Sequence, residues 1–255
     1  MRVILFIVFS FFVVIANAQH LNLLLGKNYY SDINQLLYTE YKDIHTSFKP
    51  ILKSDFSFET DSILTKYYPA SYNSWFLRKF FSEHFICLEG DEYNVIFSPL
   101  INIAKGKDLI GSRDLVTNTR GYLIEGTLGK RISFSTSFTE NQAIFPDYLD
   151  SYILANRVVP GQGLARDFKQ TGFDYAMSSG NVTYRPNNIF AIQFGHGKHF
   201  IGDGYRSLLL SDNAFNYPYL KIQTTFWKVK YTNLYAELMD INYFKTHSIP
   251  NTDQI

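Results

Sequence analysis

The chain has 255 residues, of which 17% are aromatic, and its 24 basic and 23 acidic side chains leave a formal net charge of +1. A chain with so small a net charge exerts no long-range electrostatic attraction on nucleic acid, and the mature chain has no run of basic residues. We therefore expect no nucleic-acid partner. The 19 tyrosines and 23 phenylalanines are typical of a membrane barrel with aromatic girdles, and also of an aromatic-rich soluble β-sandwich.

Residues 1–18 predict a cleavable secretory signal peptide. Arg2 forms the positive start, the stretch from Val3 to Ile15 is apolar, and Ala16-Asn17-Ala18 is a small-residue cleavage site. Beyond Ala18 no run of eighteen apolar residues follows, so the sequence predicts no conventional membrane-spanning helix. We therefore expect an exported chain which, if it crosses a membrane, does so with β-strands.

Residues 19–90 are predicted to form a helical N-terminal segment. From Tyr30 to Thr46 the apolar residues recur at helical spacing, which predicts a short amphipathic helix. A second candidate helix extends from Tyr72 to Phe85 around Trp75. The strands are expected to begin only after this segment.

From residue 91 onward the sequence predicts antiparallel strands. Tyr93 to Ile103 is the first, and residues 120–128 and 131–138 are joined by Gly129-Lys130 as a two-residue hairpin turn. In the last of these, apolar and hydroxyl residues alternate, as in a barrel strand with aromatic rings outside and small polar groups inside. The serines of this inner face are Ser133, Ser135 and Ser137.

Further strands and two long loops complete the predicted pattern. A strand at 173–185 returns as 189–195 through Pro186-Asn187-Asn188, and a change of alternation at Phe226-Trp227 predicts a bulge or a strand break. The long loops are 141–172 and 197–218. We thus predict a mainly β fold, with residues 91–255 forming the first part of an antiparallel outer-membrane β-barrel.

Two runs near the C-terminal end carry a resemblance to a known family. The run FGHGKHFIGDGYRSLLLSDNAFNYPYLKI (194–222) and the run FWKVKYTNLYAEL (226–238) resemble the Wzi-like capsule assembly family of outer-membrane β-barrels. The similarity is closest to the gliding-motility branch with its RemB-like proteins, and it extends over residues 75 to 240. Because members of this family are longer than this chain, the resemblance implies that the chain is an N-terminal portion of a barrel, a truncated reading frame or a fragment.

The same resemblance implies a function. It suggests a non-enzymatic outer-membrane protein that anchors or organises exported capsular polysaccharide or exopolysaccharide by lectin-like binding. The implied partners are surface polysaccharide, outer-membrane lipid and components of a motility or export machinery. A role in gliding motility or surface adhesion is the alternative within the family.

The glycine-rich loop at 197–218 and its flanks supply candidate ligand-binding residues. Aromatic rings can stack on the faces of sugars, while Arg, Lys, Asp and Asn side chains can form hydrogen bonds with sugar hydroxyl groups. The predicted polysaccharide-binding residues are His196, Lys198, His199, Asp203, Tyr205, Arg206, Asp212, Asn213, Asn216, Tyr217 and Tyr219.

Three other interpretations remain open. His196, His199 and Asp203 are residue types that bind zinc or act on a glycan, but the surrounding glycines predict an irregular loop instead of a helix that aligns ligands. We therefore predict no metal, no cofactor and no catalytic residue. A porin-like channel, suggested by the serine-lined strands, and a soluble periplasmic β-sandwich are the remaining alternatives.

Overall fold

A computed structural model of the protein describes residues 20–40, 44–56, 73–81 and 83–239. The predicted signal peptide lies outside these residues. In chain order the elements are α1 (Lys27–Glu40), β1 (Phe48–Lys49), a 3-10 turn (Lys53–Asp55), α2 (Trp75–Phe81), β2 (Ile86–Gly90), β3 (Tyr93–Lys107), β4 (Asp114–Leu128), β5 (Ile132–Ile144), α3 (Asp147–Asn156), β6 (Val158–Val159), β7 (Gly163–Leu164), β8 (Arg166–Phe168), β9 (Gly172–Tyr184), β10 (Phe190–Gly197), β11 (Phe200–Ile201), β12 (Tyr217–Phe226) and β13 (Val229–Ala236).

The protein is mainly antiparallel β, as predicted. Its principal sheet has the order β2-β3-β4-β5-β9-β10-β12-β13, with β8 added beside β9. Each long strand therefore lies next to the following long strand of the chain, in a meander. The sheet is open, since among the described residues β2 and β13 form its edges and do not pair with each other. No helix in the described ranges combines the length and the apolar character needed to span a membrane.

The helices and loops differ from the prediction in their bounds. Helix α1 begins before Tyr30 and ends at Glu40, and residues 44–46 are irregular. Helix α2 lies within the predicted 72–85, of which residues 72 and 82 are outside the described residues, and 83–85 are irregular. Strand β2 then lies inside the segment 19–90 that was predicted to be helical. The predicted loop at 141–172 contains the end of β5, helix α3 and strands β6 to β8, and the one at 197–218 contains β11 and the start of β12.

Tight turns are found at the predicted hairpin after β4 and at the predicted strand break near Phe226. Leu128 pairs with Ile132, so the turn after β4 has three residues, one more than predicted, and Gly129 adopts a φ of 58°, a backbone conformation that favours glycine. Phe226 pairs with Val229, so the predicted strand break is a two-residue turn in which Trp227 has a φ of 52°. The change of alternation there is therefore a change of strand.

The covered face of the sheet, which we call the inner face, carries a row of buried polar side chains beside apolar ones such as Phe173 and Tyr175. Ser133, Thr183, Gln193 and Lys221 are paired in one row across β5, β9, β10 and β12. All four side chains are at most 1% exposed. Ser133 belongs to the side of β5 that was predicted from the sequence to face inward.

The opposite face is apolar and exposed. A second row across the same strands and β13 joins Phe134, Val182, Phe194, Leu220 and Tyr235. Phe194 is 66% exposed. A sheet with one face in water usually covers its apolar face, so the arrangement found here is the reverse.

The chain before the sheet covers the part of the inner face that contains Gln193 and Lys221. We call residues 20–40 and 44–56 the inner segment. It has an apolar core of its own, in which α1 packs against the stretch around β1; the members of this core are Leu23, Tyr30, Ile33, Leu37, Ile51 and Phe56. The inner segment is therefore a folded unit on the sheet.

Polar contacts tie the inner segment to the sheet. The Gln193 side-chain amide donates a hydrogen bond to Asn22 Oδ1 at 3.1 Å, and Lys221 Nζ donates to the Pro50 carbonyl oxygen at 3.5 Å. In addition β1 pairs with β11 in antiparallel fashion. These contacts give polar groups of the inner face hydrogen-bond partners in place of water.

The strongest of these ties is ionic. The Asp55 carboxylate accepts hydrogen bonds from Arg185 at 2.9 Å and from Lys230 at 2.5 Å, and all three side chains are nearly buried. Arg185 follows β9 and Lys230 belongs to β13. One carboxylate thus joins the inner segment to two separate parts of the sheet.

We expect Asp55→Ala to lower the free energy of unfolding by about 3–5 kcal/mol, because it leaves two nearly buried cations without their carboxylate. Asp167→Ala is the matched control, since Asp167 pairs with Arg157 on the surface and should cost about 1 kcal/mol or less. Urea unfolding of both purified variants measures the difference. Equal losses for the two variants would show that Asp55 does not hold the inner segment in place.

Candidate functional site

The predicted site residues separate into an outer pair, a buried group, a cavity group and a set along the loop. His196 is exposed on the outer face, where its Nδ1 lies 3.1 Å from the Ser178 carbonyl oxygen. Asn216 donates a hydrogen bond to the same carbonyl. Both residues therefore lie apart from the inner side of the sheet.

The buried group consists of His199, Tyr217 and Tyr219. The His199 ring lies 4.4 Å from the Tyr219 ring, edge to face, and its Nδ1 is 3.1 Å from the Tyr217 hydroxyl oxygen. Phe48 of the inner segment covers the imidazole at 5.4 Å between ring centroids. These three side chains pack the inner segment against the sheet and are not accessible to a ligand.

Burial determines the charge of His199. The side chain is 0% exposed, and burial, with a further contribution from the Lys221 charge, lowers the pKa of His199 to about 3. Its Nε2 has no hydrogen-bond partner among the described residues. The imidazole is therefore neutral at ordinary pH.

Lys198, Arg206 and Asn213 belong to the loop itself. Lys198 Nζ donates hydrogen bonds to the carbonyl oxygens of Gly161 and Asp212, which holds the loop against the turn after β6. Burial lowers the pKa of Lys198, and the nearby Asp212 carboxylate opposes this change. Arg206 and Asn213 are exposed.

The remaining predicted residues line a cavity of about 310 Å³. Asp203, Tyr205 and Asp212 form its wall on the side of the loop, together with Phe200 and Gly204. The Asp203 carboxylate is 49% exposed and Tyr205 is exposed. Carboxylate oxygens and an aromatic ring are thus presented in one concave space.

The opposite wall comes from the inner segment and was not predicted from the sequence. It comprises Leu25, Gly26, Tyr30, Ser31, Asn34 and Lys49. The only local indication was the polar pair at positions 31 and 34, which shares one side of α1 because three residues make nearly one helical turn. Nothing in the sequence connects that side of α1 with a loop far along the chain.

Lys49 joins the two walls. Its ammonium group donates to Asp203 Oδ1 at 2.7 Å and to the Gly202 carbonyl oxygen at 2.6 Å, and the side chain is nearly buried. The same group lies 5.2 Å from the centre of the Tyr30 ring and 5.6 Å from that of Phe200, within the range of cation–π attraction. The shape of the cavity therefore depends on this one cation.

The two predicted histidines do not meet at the cavity. His196 and His199 lie on different sides of the sheet, and neither lines the cavity. Within the described ranges, no three His, Cys, Asp or Glu side chains gather closely enough to hold a metal ion. The cavity instead presents hydrogen-bonding groups and rings of the kind that bind a polar, flat ligand.

No protein-family model, no curated protein and no solved structure matches this chain.

We expect acid to weaken the packing of the inner segment through His199. The unfolded chain binds a proton at this residue near pH 6.5, whereas the folded protein does so only near pH 3. His199 should therefore not affect the free energy of unfolding above pH 6.5. As the pH is lowered from 6.5 toward 3, the free energy of unfolding should fall by about 1.4 kcal/mol per pH unit.

Urea unfolding of the protein at several pH values between 3.5 and 7.5 tests this expectation. His199→Phe retains a ring between Phe48 and Tyr219, cannot be protonated, and should flatten the dependence on pH. His196→Phe, on the exposed outer face, is the control and should leave it as in the wild type. If His199→Phe retained the wild-type slope, the acid sensitivity would come from another group.

Proposed function

We propose that the chain forms the first part of an outer-membrane β-barrel that anchors or organises exported polysaccharide at the cell surface by binding it, without catalysis. The observation that carries the proposal is the inverted polarity of the sheet. Polar residues such as Gln193 and Lys221 are covered, while Phe194 and its neighbours in the outer row face outward. Lipid stabilises an outer face of this kind, and water does not.

The open edges set a requirement for this proposal. Backbone groups in lipid need hydrogen-bond partners within the protein, so an edge strand cannot face hydrocarbon unpaired. The proposed barrel therefore includes further strands that pair with β2 and β13. The meander order of the described strands is the order in which an up-and-down barrel is built.

Polysaccharide is the proposed ligand because of the cavity and its surroundings. Asp203 and Asp212 can accept hydrogen bonds from hydroxyl groups, and the Tyr205 ring provides an apolar face for a sugar. The family resemblance of residues 194–222 supports the same ligand.

The covered inner face disfavours the porin-like alternative. A channel needs a water-filled lumen, whereas the inner segment lies on the polar face and contacts Gln193, Lys221 and Lys230. In the proposed barrel, the N-terminal chain therefore fills the lumen.

Phe194→Arg distinguishes a membrane sheet from a sheet in water. On a lipid face the substitution should cost about 2–4 kcal/mol and reduce the amount of protein in the outer-membrane fraction. In water it should be tolerated, because Phe194 is already largely exposed. Tyr148→Arg, an exposed position on α3, is the control. Normal outer-membrane levels of Phe194→Arg would contradict the proposed lipid contact.

Deletion of the complete gene tests the role in polysaccharide retention. We expect the cells to synthesise their surface polysaccharide in normal amounts but to release it into the medium, because its anchor is missing. Cell-bound and released polysaccharide are measured on the same cultures as colony spreading. Unchanged retention with defective spreading would replace the anchoring role by one in motility, and unchanged retention with normal spreading would exclude both.

A further inference from the structure

Resting on the proposed function, we infer that the cavity between α1 and the loop takes an uncharged glycosyl unit and discriminates against units that carry a carboxylate. The selectivity follows from which groups on the cavity wall still have hydrogen-bonding capacity. It is a property of this chain's own residues and determines which part of a polymer can enter.

The cations near the cavity are already engaged. Of the described residues that line it, only Lys49 is positively charged, and its ammonium group is held by Asp203 Oδ1 and the Gly202 carbonyl oxygen. Lys198, behind the wall, is bound to two backbone carbonyl oxygens. Arg206 is exposed and does not line the cavity. A ligand anion therefore finds no cation placed to receive it.

The groups that remain for a ligand are mostly acceptors. Asp203 keeps half of its side chain exposed despite its ion pair, and Asp212 lines the same wall. Because Asp203 is paired with Lys49, the main repulsion of a ligand carboxylate comes from Asp212, and partial enclosure strengthens that repulsion because less water screens it. A hydroxyl group donates to the same carboxylates in a charge-assisted hydrogen bond.

The other side chains complete a site for a neutral sugar. Ser31 and Asn34 on α1 can both donate and accept, as the hydroxyl groups of a sugar require. Tyr205 is 74% exposed, and an aromatic ring can pack against the C–H face of a sugar. A volume of about 310 Å³ lies at the lower end of small-molecule pockets, which fits a short glycosyl segment.

The two walls also couple binding to the inner segment. One wall belongs to α1 and the other to the loop after β11, and Lys49–Asp203 is the ion pair between them. A ligand that contacts both walls binds only when the inner segment is in place. Binding should therefore raise the thermal stability of the inner segment on the sheet.

The test uses fragments of the cells' own surface polysaccharide, so that the correct sugar is present. One half of the preparation is carboxyl-reduced, which makes its units neutral, and the other half is oxidised at C6, which makes them uronates. Both are titrated against the complete protein in detergent by calorimetry and by thermal unfolding. We expect the reduced fragments to bind at least tenfold more tightly and to raise the unfolding temperature.

Variants locate the binding. Tyr205→Ala and Asn34→Ala should each weaken binding of the reduced fragments several-fold, whereas Tyr148→Ala, a tyrosine of similar exposure on α3, should not. Asp212→Asn removes one repelling charge. It should reduce the ratio of the affinities for reduced and oxidised fragments by several-fold. Asp212 is preferred to Asp203 for this purpose, since Asp203 also holds Lys49.

Each outcome decides between the two proposals. Equal or tighter binding of the oxidised fragments would overturn the inferred selectivity. Binding that Tyr205→Ala, Asn34→Ala and Asp212→Asn leave unchanged would place the ligand outside the cavity, while polysaccharide binding itself would stand. If neither preparation bound, both the cavity inference and direct polysaccharide binding would be wrong, and the deletion phenotype would then have another cause.

Discussion

The side-chain amine of Lys221 lies on the inner face of the sheet, completely covered, and that burial is the constraint on which the rest of the structure depends. A polar group removed from water needs neighbours that replace its hydration. The Pro50 carbonyl oxygen and the face of the Phe48 ring, both from the inner segment, provide them. Gln193, Thr183 and Ser133 in the same row are also polar, so without the inner segment these side chains would depend on water for their hydrogen bonds.

The outer face is the consequence of the same alternation. Side chains of successive residues in a strand point to opposite faces, so a strand that directs Gln193 and Lys221 inward must direct Phe194 and Leu220 outward. Large contiguous apolar surfaces on a protein in water favour association or aggregation. Lipid removes that cost, which is why the inverted polarity and the proposed membrane location support each other.

The cavity results from the way in which the inner segment meets the sheet. Strand β1 pairs with β11, which brings Lys49 beside Phe200 and within reach of Asp203. Helix α1 and the loop after β11 then face each other across the cavity. A binding site at such a junction joins two parts of the chain, so occupancy and docking of the inner segment depend on each other.

The sequence by itself determined the local structure: the period of two in residues 131–138 and 189–195, the turn at Gly129 and the strand change at Phe226-Trp227 all follow from neighbouring residues. It also predicted Asp203, Tyr205 and Asp212 as ligand-binding residues, and these three lie in one loop and line one cavity. Only the tertiary structure decided that His196 and His199 lie apart, and that α1 and Lys49 complete the cavity. Lys49 and Asp203 are 154 residues apart, and a contact at that separation leaves no periodic pattern, since it depends on how the inner segment packs on the sheet.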